Sequence, residues 1–145
     1  MEKLEKRGLI EVRPTSPAEI ANLLSVAERD ISDAQVESVS LDARFNSAYN
    51  AVMILANAVL RCHGYRAKGQ GQHKTVFDAL RHMRGPWDAV RINYFDTCRR
   101  QRNAAQYDRA GIASETQVKE LLHKAKAFRK DVLDYIGRRF PQYAP

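Results

Sequence analysis

From Leu41 to His63 the chain places Phe45, Ala48, Tyr49, Val52, Met53, Ala56, Val59 and Leu60 at three- and four-residue intervals, a broad apolar face at helical period. A helix that apolar has to be covered by other elements, so this segment is read as the central helix, capped by Ser40 and ended by Gly64. The rest of the chain supplies the cover. Ser16-Pro17-Ala18-Glu19 offers an N-cap, a Pro at the first helical position and a capping-box Glu. Ile20, Leu23, Leu24, Ala27 and Ile31 then form one stripe on a helix that fades near Glu37. A short helix from about Lys74 to Met83 turns Val76, Phe77 and Leu80 inward, and Gly85-Pro86 breaks it. A fourth helix runs from about Trp87 to Tyr107, with Trp87, Val90, Tyr94, Phe95, Cys98, Arg102 and Ala105 near one face. Ser114-Glu115-Thr116-Gln117 is a second capping box, opening a helix with Val118, Leu121, Leu122, Ala125, Phe128, Val132 and Ile136 inward.

No segment alternates with period two over any length, and no long-period repeat is present, so the expected fold is all-α. It is an up-and-down helical bundle of about five helices without a sheet. The 145 residues suit a single core. That places one helical domain at residues 16–140, after an N-terminal extension (residues 1–15) without clear period and before a loose tail (141–145). No apolar run approaches the roughly 20 residues of a membrane span, and MEKLEKRGLI lacks the apolar stretch of a secretory signal. Cytoplasmic residence is the expectation, with Cys62 and Cys98 as reduced, buried thiols.

Charge separates the two halves. Residues 1–60 hold 6 Lys+Arg against 9 Asp+Glu, whereas residues 61–145 hold 18 against 8. The basic half calls for an anionic partner: RNA, a nucleotide or an acidic protein. Arg99, Arg100 and Arg102 crowd into four residues before Asn103 and Tyr107, and arginines so placed need an anionic complement. Arg102 falls at the edge of the apolar stripe, with Asp96, Arg100, Asn103 and Tyr107 along another face. Residues 64–73, GYRAKGQGQH, read as a loop. It is either a plain helix connection or a flexible basic segment in which Arg66, Lys68, His73 and Lys74 touch an anion. It is no P-loop, since Gly71 precedes Gln72-His73 between helices. The single Glu120-x-x-His123 pair and the adjacent Cys62-His63 supply no ligand set, so no metal and no cofactor are expected. Long helices without a tight turn between them disfavour a helix-turn-helix.

At Arg102-Asn103-Ala104-Ala105-Gln106-Tyr107 the chain resembles the HEPN domain family. The family's signature is an Arg, often followed by Asn, with four intervening residues before a His near a helix end. Tyr107 stands at the histidine position here. The helix order, Ala48-Tyr49-Asn50-Ala51 on the central helix, and Gly64-Tyr65-Arg66 followed by Gly69, Gly71 and His73 extend the resemblance over roughly residues 17–138. It implies a helical bundle that dimerises, either a metal-independent ribonuclease or an RNA-binding or inactive partner of a nucleotidyltransferase in a toxin-antitoxin-type system. By position Arg102 would hold the scissile phosphate, Asn103 would orient its neighbours, and Tyr107 would take the acid/base role. Tyrosine titrates near ~10 rather than ~6.5 and is a poor base at neutral pH. Five residues at about 100° each also leave Arg102 and Tyr107 roughly 140° apart on one helix, so their convergence needs a homodimer.

Three functions remain open on these residues. The leading one is a HEPN-like dimer that binds RNA or a nucleotidyltransferase-type antitoxin through Arg99, Arg100, Arg102, Asn103 and Tyr107, with weak or no nuclease activity. The second is an active metal-independent ribonuclease in which Tyr107 or His73 moves protons. The third is a scaffold bundle whose basic face docks an acidic protein.

Overall fold

The computed structural model describes residues 1–107, 111 and 113–145, with side chains for 1–103, 111 and 113–145. Six α-helices occur among the described residues: α1 (Glu2–Lys6), α2 (Pro17–Ala34), α3 (Leu41–Cys62), α4 (Gln72–Arg81), α5 (Ala89–Tyr107) and α6 (Glu115–Arg139). The architecture is mostly helical, and α3 runs at its centre with α2, α4, α5 and α6 packed on it. Phe45, Tyr49, Leu55 and Leu60 of α3 are sealed from solvent beside Ile20, Phe77, Phe95 and Phe128 of the surrounding helices. Each such side chain contributes about 1.5–3 kcal/mol by burial.

Local chemistry sets the helix ends. Ser16 Oγ accepts the Glu19 N–H at 3.1 Å and Pro17 occupies the first turn of α2. The reciprocal half of that expected capping box is not made. The Glu19 carboxylate accepts instead from the Thr15 hydroxyl at 3.0 Å and from Arg61 of α3. At Ser114 the box is complete, with Gln117 N–H to Ser114 Oγ at 3.1 Å and Ser114 N–H to Gln117 Oε1 at 2.9 Å. Buried Arg44 donates its Nε–H to the Ala34 carbonyl at 2.9 Å, joining α3 to the negative end of the α2 dipole. Asp42 accepts the N–H groups of Gly111 and Ala113 at 2.5 and 3.0 Å, tying the approach to α6 onto the start of α3.

The expectation of a bundle without a sheet is overturned. Strands β1 (Ile10–Val12) and β2 (Tyr65–Ala67) pair antiparallel, with Ile10 opposite Ala67, Glu11 opposite Arg66 and Val12 opposite Tyr65. Neither strand spans enough residues for alternation to register. Residues 1–15 are therefore no extension, because Leu4 and Ile10 are buried in the core. The expected loop at 64–73 contributes a strand and the start of α4. The tail forms a 3₁₀ turn over Pro141–Tyr143, and Phe140 and Tyr143 pack on the core. Val90, expected to face inward, is 77% exposed, while Ile92 takes the buried position. The Gly85-Pro86 break does more than stop a helix: a Cβ on Gly85 would lie 2.3 Å from the Trp87 ring, whose Nε1–H reaches the Leu80 carbonyl at 3.1 Å.

Truncating Ile10→Ala is expected to cost about 2–5 kcal/mol, seen as a lower urea midpoint at constant slope. An unchanged midpoint would return residues 1–15 to the status of an appendage.

Candidate functional site

The charge-bearing residues gather where α4 begins against the C-terminal half of α5. Gly71 makes the entry possible: as N-cap of α4 it sits at φ 76°, a left-handed conformation open to glycine, and its carbonyl accepts the first ladder bond, from the Thr75 N–H at 3.1 Å. First-turn N–H groups lack ladder partners and give that end partial positive character. Across from this turn lie Arg99 and Asn103 of α5, and together Gly71, Gln72, His73, Lys74, Arg99 and Asn103 line a cavity of about 190 Å³.

Asp96 organises the arginines. The residue is 7% exposed, and its carboxylate accepts the Arg99 Nε–H at 2.8 Å and lies 3.5 Å from Arg100 and 3.9 Å from Arg81. Burial alone would raise this carboxyl, but the hydrogen bond and charge of Arg99, with Arg81 and Arg100 behind them, outweigh it and hold it below the usual carboxylate range. The cluster thus carries part of its own anionic complement, which the spacing of the arginines did not reveal. Arg102 differs. It donates Nε–H to Asn46 Oδ1 at 2.9 Å and Nη1–H to Asn103 Oδ1 at 3.4 Å, with its guanidinium 5.8 Å from the Tyr49 ring centre. These partners are neutral, and no carboxylate pairs with Arg102 among the described residues.

His73 joins the same group through Tyr49. The Tyr49 hydroxyl and His73 Nδ1 share a hydrogen bond of 3.0 Å, with the rings 5.7 Å apart. Burial, reinforced by the charges of Arg102 and Arg99, lowers the His73 pKa below the ordinary histidine value, so its imidazole is neutral at pH 7. Burial raises the Tyr49 phenol despite the same arginines, so Tyr49 is un-ionised.

The structure thus brings together His73, Lys74, Arg99, Arg102 and Asn103. It separates Arg66 and Lys68, which pair with Glu11 across the β1–β2 ribbon at 2.7 and 3.8 Å. Arg100 projects outward, its side chain 69% exposed. Tyr107 closes α5, and its side chain lies outside the described residues. Sequence reading missed Asn46 as a ligand of Arg102 and took Tyr49 for core packing alone. The available signal was an amide recurring on an otherwise apolar helix, at Asn46, Asn50 and Asn57.

The buried thiols of Cys62 and Cys98 are pushed up to about 12 and about 11 by burial, too high for a thiolate nucleophile at neutral pH. Among the described residues no cluster of His, Cys, Asp and Glu is arranged to hold a metal ion, and no helix is long and apolar enough to cross a membrane. Arginine, lysine, amide and neutral imidazole groups around a small cavity can bind an oxyanion and exchange a proton with it. No family model, curated protein or solved structure matches this chain.

In an NMR titration His73 is expected to have a pKa below about 6.5, and Arg102→Ala to raise it, because removing a nearby positive charge favours the imidazolium. No movement, or movement downward, would detach His73 from Arg102. His63 is lowered as well, by burial and by Arg139. At these two histidines the folded chain holds fewer protons than the unfolded chain below pH ~6.5, so their contribution to stability is expected to fall as pH drops through that range. Urea midpoints at pH 7.5 and pH 5 measure this, and a higher midpoint at pH 5 would contradict it.

Proposed function

We propose that the protein is a HEPN-like helical protein that binds RNA through the cleft between α4 and α5, seating a backbone phosphate beside Lys74, Arg99, Arg102 and Asn103. One observation carries the reading. Residues far apart in the chain, on two helices, converge on a cavity the size of one phosphate with a little of its sugar, and Arg102, bonded to the lining residue Asn103, has no acidic partner among the described residues. Charge-assisted N–H groups arranged as a pocket fit a tetrahedral oxyanion better than the flat, extended face of an acidic protein. The Arg102-Asn103-x-x-x-Tyr107 placement at the end of α5 and the mostly helical architecture support the family resemblance. A two-fold dimer across the α5 ends belongs to the proposal, since it would bring Arg102 of one protomer toward Tyr107 of its partner and double the basic groove.

Tyrosine at the histidine position makes weak or no cleavage the expectation. A second reading, ribonuclease activity, is favoured by one contact. His73 sits neutral within 3.0 Å of Tyr49, whose ring carries Arg102, so a base and a cation for the phosphorane stand in one protomer.

Fluorescence anisotropy with a short single-stranded RNA tests the proposal between about 50 and 200 mM salt. Affinity is expected to fall steeply with salt. Arg99→Ala/Arg102→Ala should weaken binding and flatten the log–log salt slope by about 1 for each phosphate no longer neutralised. Salt-independent binding, or a double mutant as tight as wild type, would defeat it. Incubation of the same RNA in EDTA separates the readings: cleavage by wild type that His73→Ala abolishes establishes the nuclease, and intact RNA leaves binding alone.

A further inference from the structure

A second cavity, of about 300 Å³, opens between α2, α3, β2 and α4. Its walls include Leu23, Ile54, Asn57, Arg61, Arg66 and Gln72, and Gln72 also lines the phosphate cavity, so the two adjoin at the first turn of α4. Their electrostatics differ. In the second cavity Arg61 is paired with Glu19 and Arg66 with Glu11, leaving the walls close to neutral. At the first, Arg99 is paired with Asp96, but Lys74 and the Arg102 that bonds its Asn103 have no ion pair among the described residues.

What the second cavity offers is amides and flat surfaces. Asn57 is half-buried on α3 at the wall of this cavity, where an apolar side chain would pack at lower cost. It lies about 20° from each of Asn46 and Asn50 on the helical wheel, one polar stripe that runs from the Arg102 site into this cavity. One Asn57 N–H goes to the Met53 carbonyl at 3.1 Å, and among the described residues no hydrogen bond takes its Oδ1. The Gln72 amide is exposed at the mouth, also without a side-chain hydrogen bond among them. Leu23 and Ile54, packed on the core but still partly accessible, form an apolar wall. Arg61 and Arg66 complete the lining.

We infer that this cavity receives one nucleobase of the RNA strand whose phosphate occupies the adjoining cavity, and that Asn57 and Gln72 read its edge. The inference rests on the RNA-binding reading above. Asparagine and glutamine amides pair with base edges through a donor and an acceptor at once, and splayed bases stack on apolar and guanidinium surfaces. The acidic partners Glu11 and Glu19 argue against a second phosphate here. The volume suits a heterocycle, at the lower end of small-molecule pockets.

Anisotropy titrations of the full chain against oligo(A), oligo(C), oligo(U) and an abasic ribose-phosphate oligomer of equal length and charge test this. Wild type is expected to rank the three bases differently and to bind the best on the order of tenfold more tightly than the abasic strand. Asn57→Ala/Gln72→Ala should bring all three to the abasic level with the salt slope unchanged. Gln72→Ala alone, at an exposed position that leaves folding untouched, should move the same way. Arg99→Ala/Arg102→Ala should weaken every oligomer, the abasic one included. Equal wild-type binding with and without bases, or discrimination that survives in both amide variants, overturns the base subsite while leaving phosphate binding in place. Failure of all four strands removes the RNA reading, and this inference with it.

Discussion

Helix α3 has to be covered on nearly every side, and the remaining elements are arranged by that requirement. Its apolar positions are met by α2, α4, α5 and α6, and one stripe of amides, Asn46, Asn50 and Asn57, is left over. A buried amide is costly unless something pairs with it. Asn46 is paired by Arg102, which draws the end of α5 onto α3 and fixes where the arginine stands. Tyr49, one turn beyond Asn46, is sealed into the core by its ring while its hydroxyl reaches His73. The site is thus built on the same helix that holds the core together, with rigid side chains behind it.

Ion pairs have a different task from the core. Exposed pairs such as Lys119–Glu115 contribute about 0–1 kcal/mol, against about 1.5–3 kcal/mol for each fully buried apolar side chain. They cannot be what keeps the chain folded; what they do is direct cations. Asp96 holds Arg99 by its Nε–H, which orders the guanidinium at the cavity wall. Glu11 and Glu19 neutralise Arg66 and Arg61 and so give the neighbouring cavity a different ligand preference. The same residue type serves two chemistries because its acidic partners are unevenly distributed.

The helices α2, α3 and α6 were legible residue by residue, since Ser16, Ser40 and Ser114 each cap the helix they precede and the apolar spacing runs without interruption. The small sheet was not legible. Its strands are three residues long and their pairing joins Ile10 to Ala67, a match that no local pattern announces. Val90 misled because it fits the helical stripe yet falls at the start of α5, beyond the reach of neighbouring helices. At the site, Arg102, Asn103 and His73 were singled out from charge and motif. Their grouping was not, because it depends on how α4 lies against α5.

By itself the sequence determined the mostly helical class, the starts of α2, α3 and α6 and the central place of α3, because capping and apolar periodicity act among residues within a turn or two of one another. It also determined that the basic charge lies in the second half of the chain. Only the tertiary structure decided which cations act together. His73 meets Tyr49 across 24 positions and Arg102 meets Asn46 across 56, while Arg66 is drawn away to Glu11. Those choices follow from which faces of α3 the other helices cover, and packing sets that globally, through shape and burial, rather than through any run of neighbouring residues.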